Sequence, residues 1–93
     1  MSESRIFESA EFRRGLARLA APDAEFVRKK LLAHIYPQLR REPFFGPSIK
    51  KLQGYRPTTW RYRIGRFRIF YIVDQEERIV FMLTIDCRKD ACR

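Results

Sequence analysis

The sequence is poor in the side chains from which metal and acid–base sites are usually built. It has one histidine, His34, and two cysteines, Cys87 and Cys92. No four such residues stand at zinc-binding spacing, so neither a metal nor any other cofactor is expected. Two cysteines cannot form an extended disulfide framework, and nothing resembles a secretory signal peptide. No apolar run approaches the length of a membrane span, so no membrane role is expected and the cytoplasm is the expected compartment. Acidic residues are scarce as well. Eleven Asp and Glu stand against 20 Lys and Arg, giving a net charge of +9. That imbalance predicts a polyanionic partner: nucleic acid, an anionic membrane surface or an acidic protein. The 93 residues suit a single domain, 1–93, with a modest core.

What is present centres on residues 60–74, WRYRIGRFRIFYIVD. Apolar and basic residues alternate on both sides of Gly65, the signature of two strands with one buried face. Gly65-Arg66 suits a two-residue turn. This hairpin pairs Ile64 with Phe67, Arg63 with Arg68 and Tyr62 with Ile69. The apolar side chains then share one face. On the other, Arg63 opposes Arg68, with Arg61 two residues away. Like charges directly opposed across a sheet destabilise it, so the cluster points to an anionic ligand.

Upstream, residues 4–7 read as a short strand. Ser9 is a candidate N-cap for a helix over 10–20, with Phe12, Leu16 and Leu19 on its apolar side. Pro22 opens a second helix that runs to about Arg41. Its stripe is Val27, Leu31, Ile35 and Leu39, widened by Phe26 and Leu32. Residues 43–58 read as an ordered surface segment in which Lys50 and Lys51 point outward. After the hairpin, a three-residue loop at 75–77 leads to a last strand from about Ile79 to Asp86. Its wholly apolar side, Ile79, Phe81, Leu83 and Ile85, is expected to join the core, pairing Phe67 with Ile85 and Arg68 with Thr84. A one-residue change in that loop would invert the faces. The expected fold is α+β: a short N-terminal strand, then a two-helix antiparallel hairpin packed on one face of a C-terminal three-stranded antiparallel sheet.

On the opposite face Arg61, Arg63, Arg68 and Arg88 converge, with Lys50 and Lys51 near by. Guanidinium groups match phosphate oxygens in shape and charge. Several on one face would hold a backbone phosphate and stabilise a phosphorane-like transition state. Arg66 and Lys89 extend the RNA-binding set. His34 reads as a packing or surface residue. Asp86 and Asp90 are acid–base candidates by position only, and Asp86 is expected to pair with an arginine.

KKLQGY (50–55), the hairpin 60–74 and the ending IDCRKDACR (85–93) resemble the RelE/ParE superfamily of type II toxins, closer to the RelE branch. The resemblance covers nearly the whole chain. It implies a microbial ribonuclease-like fold, a cognate acidic antitoxin and, in the RelE branch, cleavage of mRNA in the ribosomal A site. Arg61, Arg63, Arg68 and Arg88 fall on the family's basic positions, with implied roles in phosphate binding, 2′-OH activation and transition-state stabilisation. Where the family tail often has His and Tyr, this sequence has Cys87 and Cys92, which weakens the expectation of an endoribonuclease. The alternative implied by the same resemblance is a ParE-like inhibitor that binds DNA gyrase without nuclease chemistry.

Overall fold

Ser9 is where the helical and sheet layers are tied together. Its hydroxyl accepts from the Phe12 N–H at 3.0 Å, capping the first helix, and donates to the Leu83 carbonyl of the last strand at 2.9 Å. The computed structural model describes residues 3–87. Strand β1 (Arg5–Glu8) leads into α1 (Ala10–Arg18) and then α2 (Ala21–Lys30). A π-helical turn (Leu31–Ile35) joins α2 to α3 (Tyr36–Arg41). Strands β2 (Ile49–Lys51), β3 (Trp60–Ile64), β4 (Phe67–Asp74) and β5 (Ile79–Cys87) follow.

The helix expected from residue 22 to about Arg41 is therefore present, with a widened turn in its middle. Pro37 accounts for its place. A proline inside a helix has no N–H to donate and its ring presses on the carbonyl four residues back. The turn just ahead of it is relaxed, and the Tyr36 N–H reaches Leu31 O, five residues back. Val27, Leu31, Ile35 and Leu39 are buried as the stripe requires. Phe26 and Leu32 do not widen it; both are exposed.

The sheet has five strands in the order β1-β5-β4-β3-β2, where three C-terminal strands and a separate N-terminal one were expected. β1 lies parallel to β5 at one edge, and β2, read in sequence as a surface segment, pairs antiparallel with β3 at the other. Such short edge strands carry too few residues to show an alternation pattern. The hairpin register is as expected, including Arg63 opposite Arg68.

The last strand departs from expectation in two compensating ways. Asp74 pairs with Ile79, so the β4–β5 loop spans four residues, 75–78, and Arg78 adopts a positive φ of 58°. The extra residue inverts the faces, as a change of one must. Val80 and Met82 point into the core, while Ile79 and Phe81 turn to the other side. A β-bulge then restores the original phase. Tyr71 pairs with Met82 but Phe70 with Thr84, leaving Leu83 as the additional residue. Beyond it Ile85 and Cys87 face the core. Phe67 therefore pairs with Cys87 and Arg68 with Asp86, not with Ile85 and Thr84.

Candidate nucleic-acid interface

The helices cover one face of the sheet, where Phe12, Val27, Ile35, Leu39, Phe67, Ile69, Tyr71, Val80 and Met82 exclude water almost completely. Polar groups on this side have partners. Tyr71 donates to Pro43 O at 2.6 Å, Tyr62 to Gln38 Oε1 at 3.0 Å and Tyr36 to Glu8 Oε2 at 2.5 Å. Burial raises the pKa of all three phenols. Hydrogen bonding to Glu8 and its negative charge add to the effect at Tyr36, as do Tyr62 and Glu42 at Tyr71.

The opposite face carries the basic residues in rows set by the register. Arg63, Arg68 and Asp86 form one row; Lys50, Arg61, Phe70 and Thr84 form the next. Arg68 Nη2 meets Asp86 Oδ2 at 2.9 Å. The Nε atoms of Arg61 and Arg68 are shielded from solvent and have no acceptor among the described residues. A buried N–H without an acceptor costs free energy, and an oxygen acceptor placed beside these two atoms would recover it. Beside them, Arg61, Arg63 and Lys50 line an open cleft of about 480 Å³ with Ser48 and Gly65. The Arg63 N–H donates to Ser48 O at 3.0 Å, fixing the cleft's wall to β3.

Of the residues singled out in the sequence, Arg61, Arg63, Arg68 and Lys50 thus share one face. Lys51 does not join them, because it pairs with Trp60 and lies on the helix side of the edge. Arg66 is held at the turn, with Nη2 2.5 Å from Asp23 Oδ1 and its guanidinium 5.2 Å from the Phe67 ring. Cys87 lies on the core side. His34 is exposed in the π-helical turn. Arg88, Lys89, Asp90 and Cys92 lie outside the described residues. Among the described residues, no three His, Cys, Asp or Glu side chains group as metal ligands would. No described helix is long and apolar enough to cross a membrane.

The sequence reading missed the aromatic part of this face. Phe81 is placed in the core by a three-residue loop at 75–77, and the four-residue loop found in the structure turns it to the other face. Phe7, opposite Phe81 on β1, was placed in a strand without a partner. Phe70 falls on the arginine side of the hairpin's alternation, opposite Arg61.

No curated protein matches the sequence. Among solved structures, the fold resembles that in the RelBE2 toxin–antitoxin complex of Mycobacterium tuberculosis (25% identity, TM-score 0.71), covering 92% of this chain and 99% of that one. It also resembles the isolated Escherichia coli RelE toxin (18% identity, TM-score 0.67; 95% and 87% covered). A third match is the archaeal RelE–RelB complex of Pyrococcus horikoshii (22% identity, TM-score 0.59; 96% and 99% covered). The family model for the ParE toxin of the type II toxin–antitoxin system parDE matches residues 8–91. With that match across nearly its whole length, on a sheet and helix layer shared with RelE toxins, the chain belongs to the ParE toxin family within the RelE/ParE superfamily.

Proposed function

We propose that this toxin is an endoribonuclease that cleaves mRNA in the ribosomal A site. The observation that carries the reading is the pair of adjoining basic rows, with buried, unpartnered Nε donors on Arg61 and Arg68, on the sheet face that the helices leave uncovered. In the proposed reaction the RNA's own 2′-oxygen attacks the adjacent phosphorus. The P–O5′ bond breaks, leaving a 2′,3′-cyclic phosphate and a 5′-hydroxyl. The 2′-OH proton is lost to a base and the departing 5′-oxygen gains a proton. Arg61 and Arg68 bind the phosphate and offset the charge that builds on its oxygens in the transition state. Arg63 extends the same row, and Arg88 completes the proposed set. Arginine holds its proton too tightly to be an efficient base, so the arginines act here through charge. The partner is a cognate acidic antitoxin, which neutralises the +9 chain in the cytoplasm.

A second reading, inhibition of DNA gyrase by binding alone, is favoured by the family model, which is that of ParE toxins. Inducible expression with mapping of mRNA 5′ ends separates the two. Codon-phased cuts that disappear in Arg61→Ala and Arg68→Ala support the ribonuclease. Toxicity with intact mRNA and inhibited DNA supercoiling would replace it with the gyrase reading.

A further inference from the structure

Next to the two basic rows lies a third row, Ile72, Phe81 and Phe7, contributed by β4, β5 and β1. Phe12 and Phe67 on the helix side are 0% and 1% exposed, whereas Phe7 is 54% exposed. Ile72, Phe81 and Phe70 are only partly covered. The Phe7 and Phe81 rings meet edge to face, centroids 5.6 Å apart at 66°. In that arrangement the ring presenting its edge keeps its own faces clear of its neighbour, as a planar group stacking on it requires. Phe70 joins the aromatic row to the basic rows. It is directly opposite Arg61 and two residues from Arg68, the residues with unpartnered Nε donors. Positions two apart on a strand are separated by roughly 6.6–6.8 Å, and adjacent strands by about 4.8 Å. A chain of phosphates crossing Arg68 and Arg61 therefore passes within a nucleoside's reach of Phe70 and the aromatic row.

We propose that Phe70, Phe81 and Phe7 form a base-stacking track that holds single-stranded RNA beside the arginine rows. The inference rests on the RNA reading above and extends it to sheet residues outside the phosphate site. Phosphates over a basic strip and bases on adjoining aromatic rings is the general arrangement by which single strands are held without sequence readout. Charge complementarity selects this occupant: in the two basic rows, four cations, Lys50, Arg61, Arg63 and Arg68, stand against one carboxylate, Asp86, and these rows run without a gap into the aromatic row; Asp74, beyond that row, is engaged by the Glu76 and Glu77 N–H groups. An apolar protein segment would satisfy only the aromatic half.

The test uses the full chain and a labelled 2′-O-methyl oligoribonucleotide, which has no free 2′-OH and is not cleaved. A matching abasic oligomer keeps the phosphates and removes the bases. Phe70→Leu and Phe7→Leu retain apolar bulk, and unchanged thermal midpoints confirm their folding. Each is expected to weaken binding of the base-bearing strand about tenfold. Neither is expected to alter binding of the abasic strand, which the wild type itself should bind more weakly. Equal affinity of the wild type and both leucine variants for the base-bearing strand overturns the track while leaving the RNA reading intact. So does an equal loss on both strands, and so does lost affinity for an acidic antitoxin peptide with RNA binding unchanged. If the wild type binds neither strand even at low salt, the track is overturned, and the mapping of mRNA 5′ ends decides the RNA reading by itself.

Discussion

The two faces of the central sheet are built by opposite rules. On the helix side, the buried tyrosine hydroxyls of Tyr36, Tyr62 and Tyr71 each reach an acceptor, and the apolar side chains interlock with almost no exposure. On the other side, like charges oppose each other at Arg63 and Arg68, two guanidinium Nε atoms lack acceptors, and Phe7 meets solvent. The first arrangement holds the fold together. The second gives up some stability, the cost expected of a face that serves the proposed RNA binding. Substitutions should therefore separate stability from activity according to the face they touch.

The largest stability effect is expected on the covered side. Phe67→Ala should cost about 3–5 kcal/mol, read as a lower denaturant midpoint, because it removes a ring buried beneath the helices. Alkali should act on the same side. The folded state holds the protons of Tyr36, Tyr62 and Tyr71 more tightly than the unfolded chain. Their contribution is complete below the unfolded pKa of about 10 and is lost as pH rises beyond it. Chemical denaturation across pH 9–12 should show this fall, with a shallower slope in Tyr71→Phe. A pH-independent midpoint there would contradict the burial of these phenols.

Gly15→Ala tests the closeness of the two layers. A Cβ at Gly15 would lie 2.8 Å from Ile85 Cγ2. Overpacking costs about 1–3 kcal/mol, against about 1 kcal/mol gained in helix propensity, so a net loss in thermal midpoint is expected. Ser9→Ala should cost about 1 kcal/mol through the lost cap, and it also leaves the Leu83 carbonyl without its donor. The smallest stability effect belongs to the open face and has the opposite sign. Arg63→Thr should raise stability by about 0.2–1 kcal/mol by relieving the repulsion from Arg68, while lowering RNA binding and its salt dependence. A destabilised Arg63→Thr would place that residue among those holding the fold together.

The hairpin and its arginines were legible because strict alternation around a glycine leaves one pairing that puts Tyr62, Ile69 and Tyr71 on a common side. The helices were legible from their apolar spacing and from Ser9 and Pro22. Other features depend on terms that local pattern does not contain. The widened turn at Leu31–Ile35 answers Pro37, which the apolar stripe passes over. In β5 both alternating faces are largely apolar, so residue type could not choose between Val80 and Phe81 for the core. That choice was made by the four-residue loop. The same ambiguity concealed the aromatic half of the candidate interface.

The bulge at Leu83 has a consequence for how the protein can vary. It is a parity correction: the loop at 75–78 sets the phase of β5 as far as Met82, and the bulge resets it before Asp86. The alignment of Arg68 with Asp86 is thus insulated from the turn. A length change in that exposed loop can be absorbed by losing or shifting the bulge, leaving the arginine row in place. Ser9, bonded to the Met82 and Leu83 carbonyls, ties the bulged segment to the start of α1. The arginine face is thereby separated from the part of the hairpin most open to insertion and deletion.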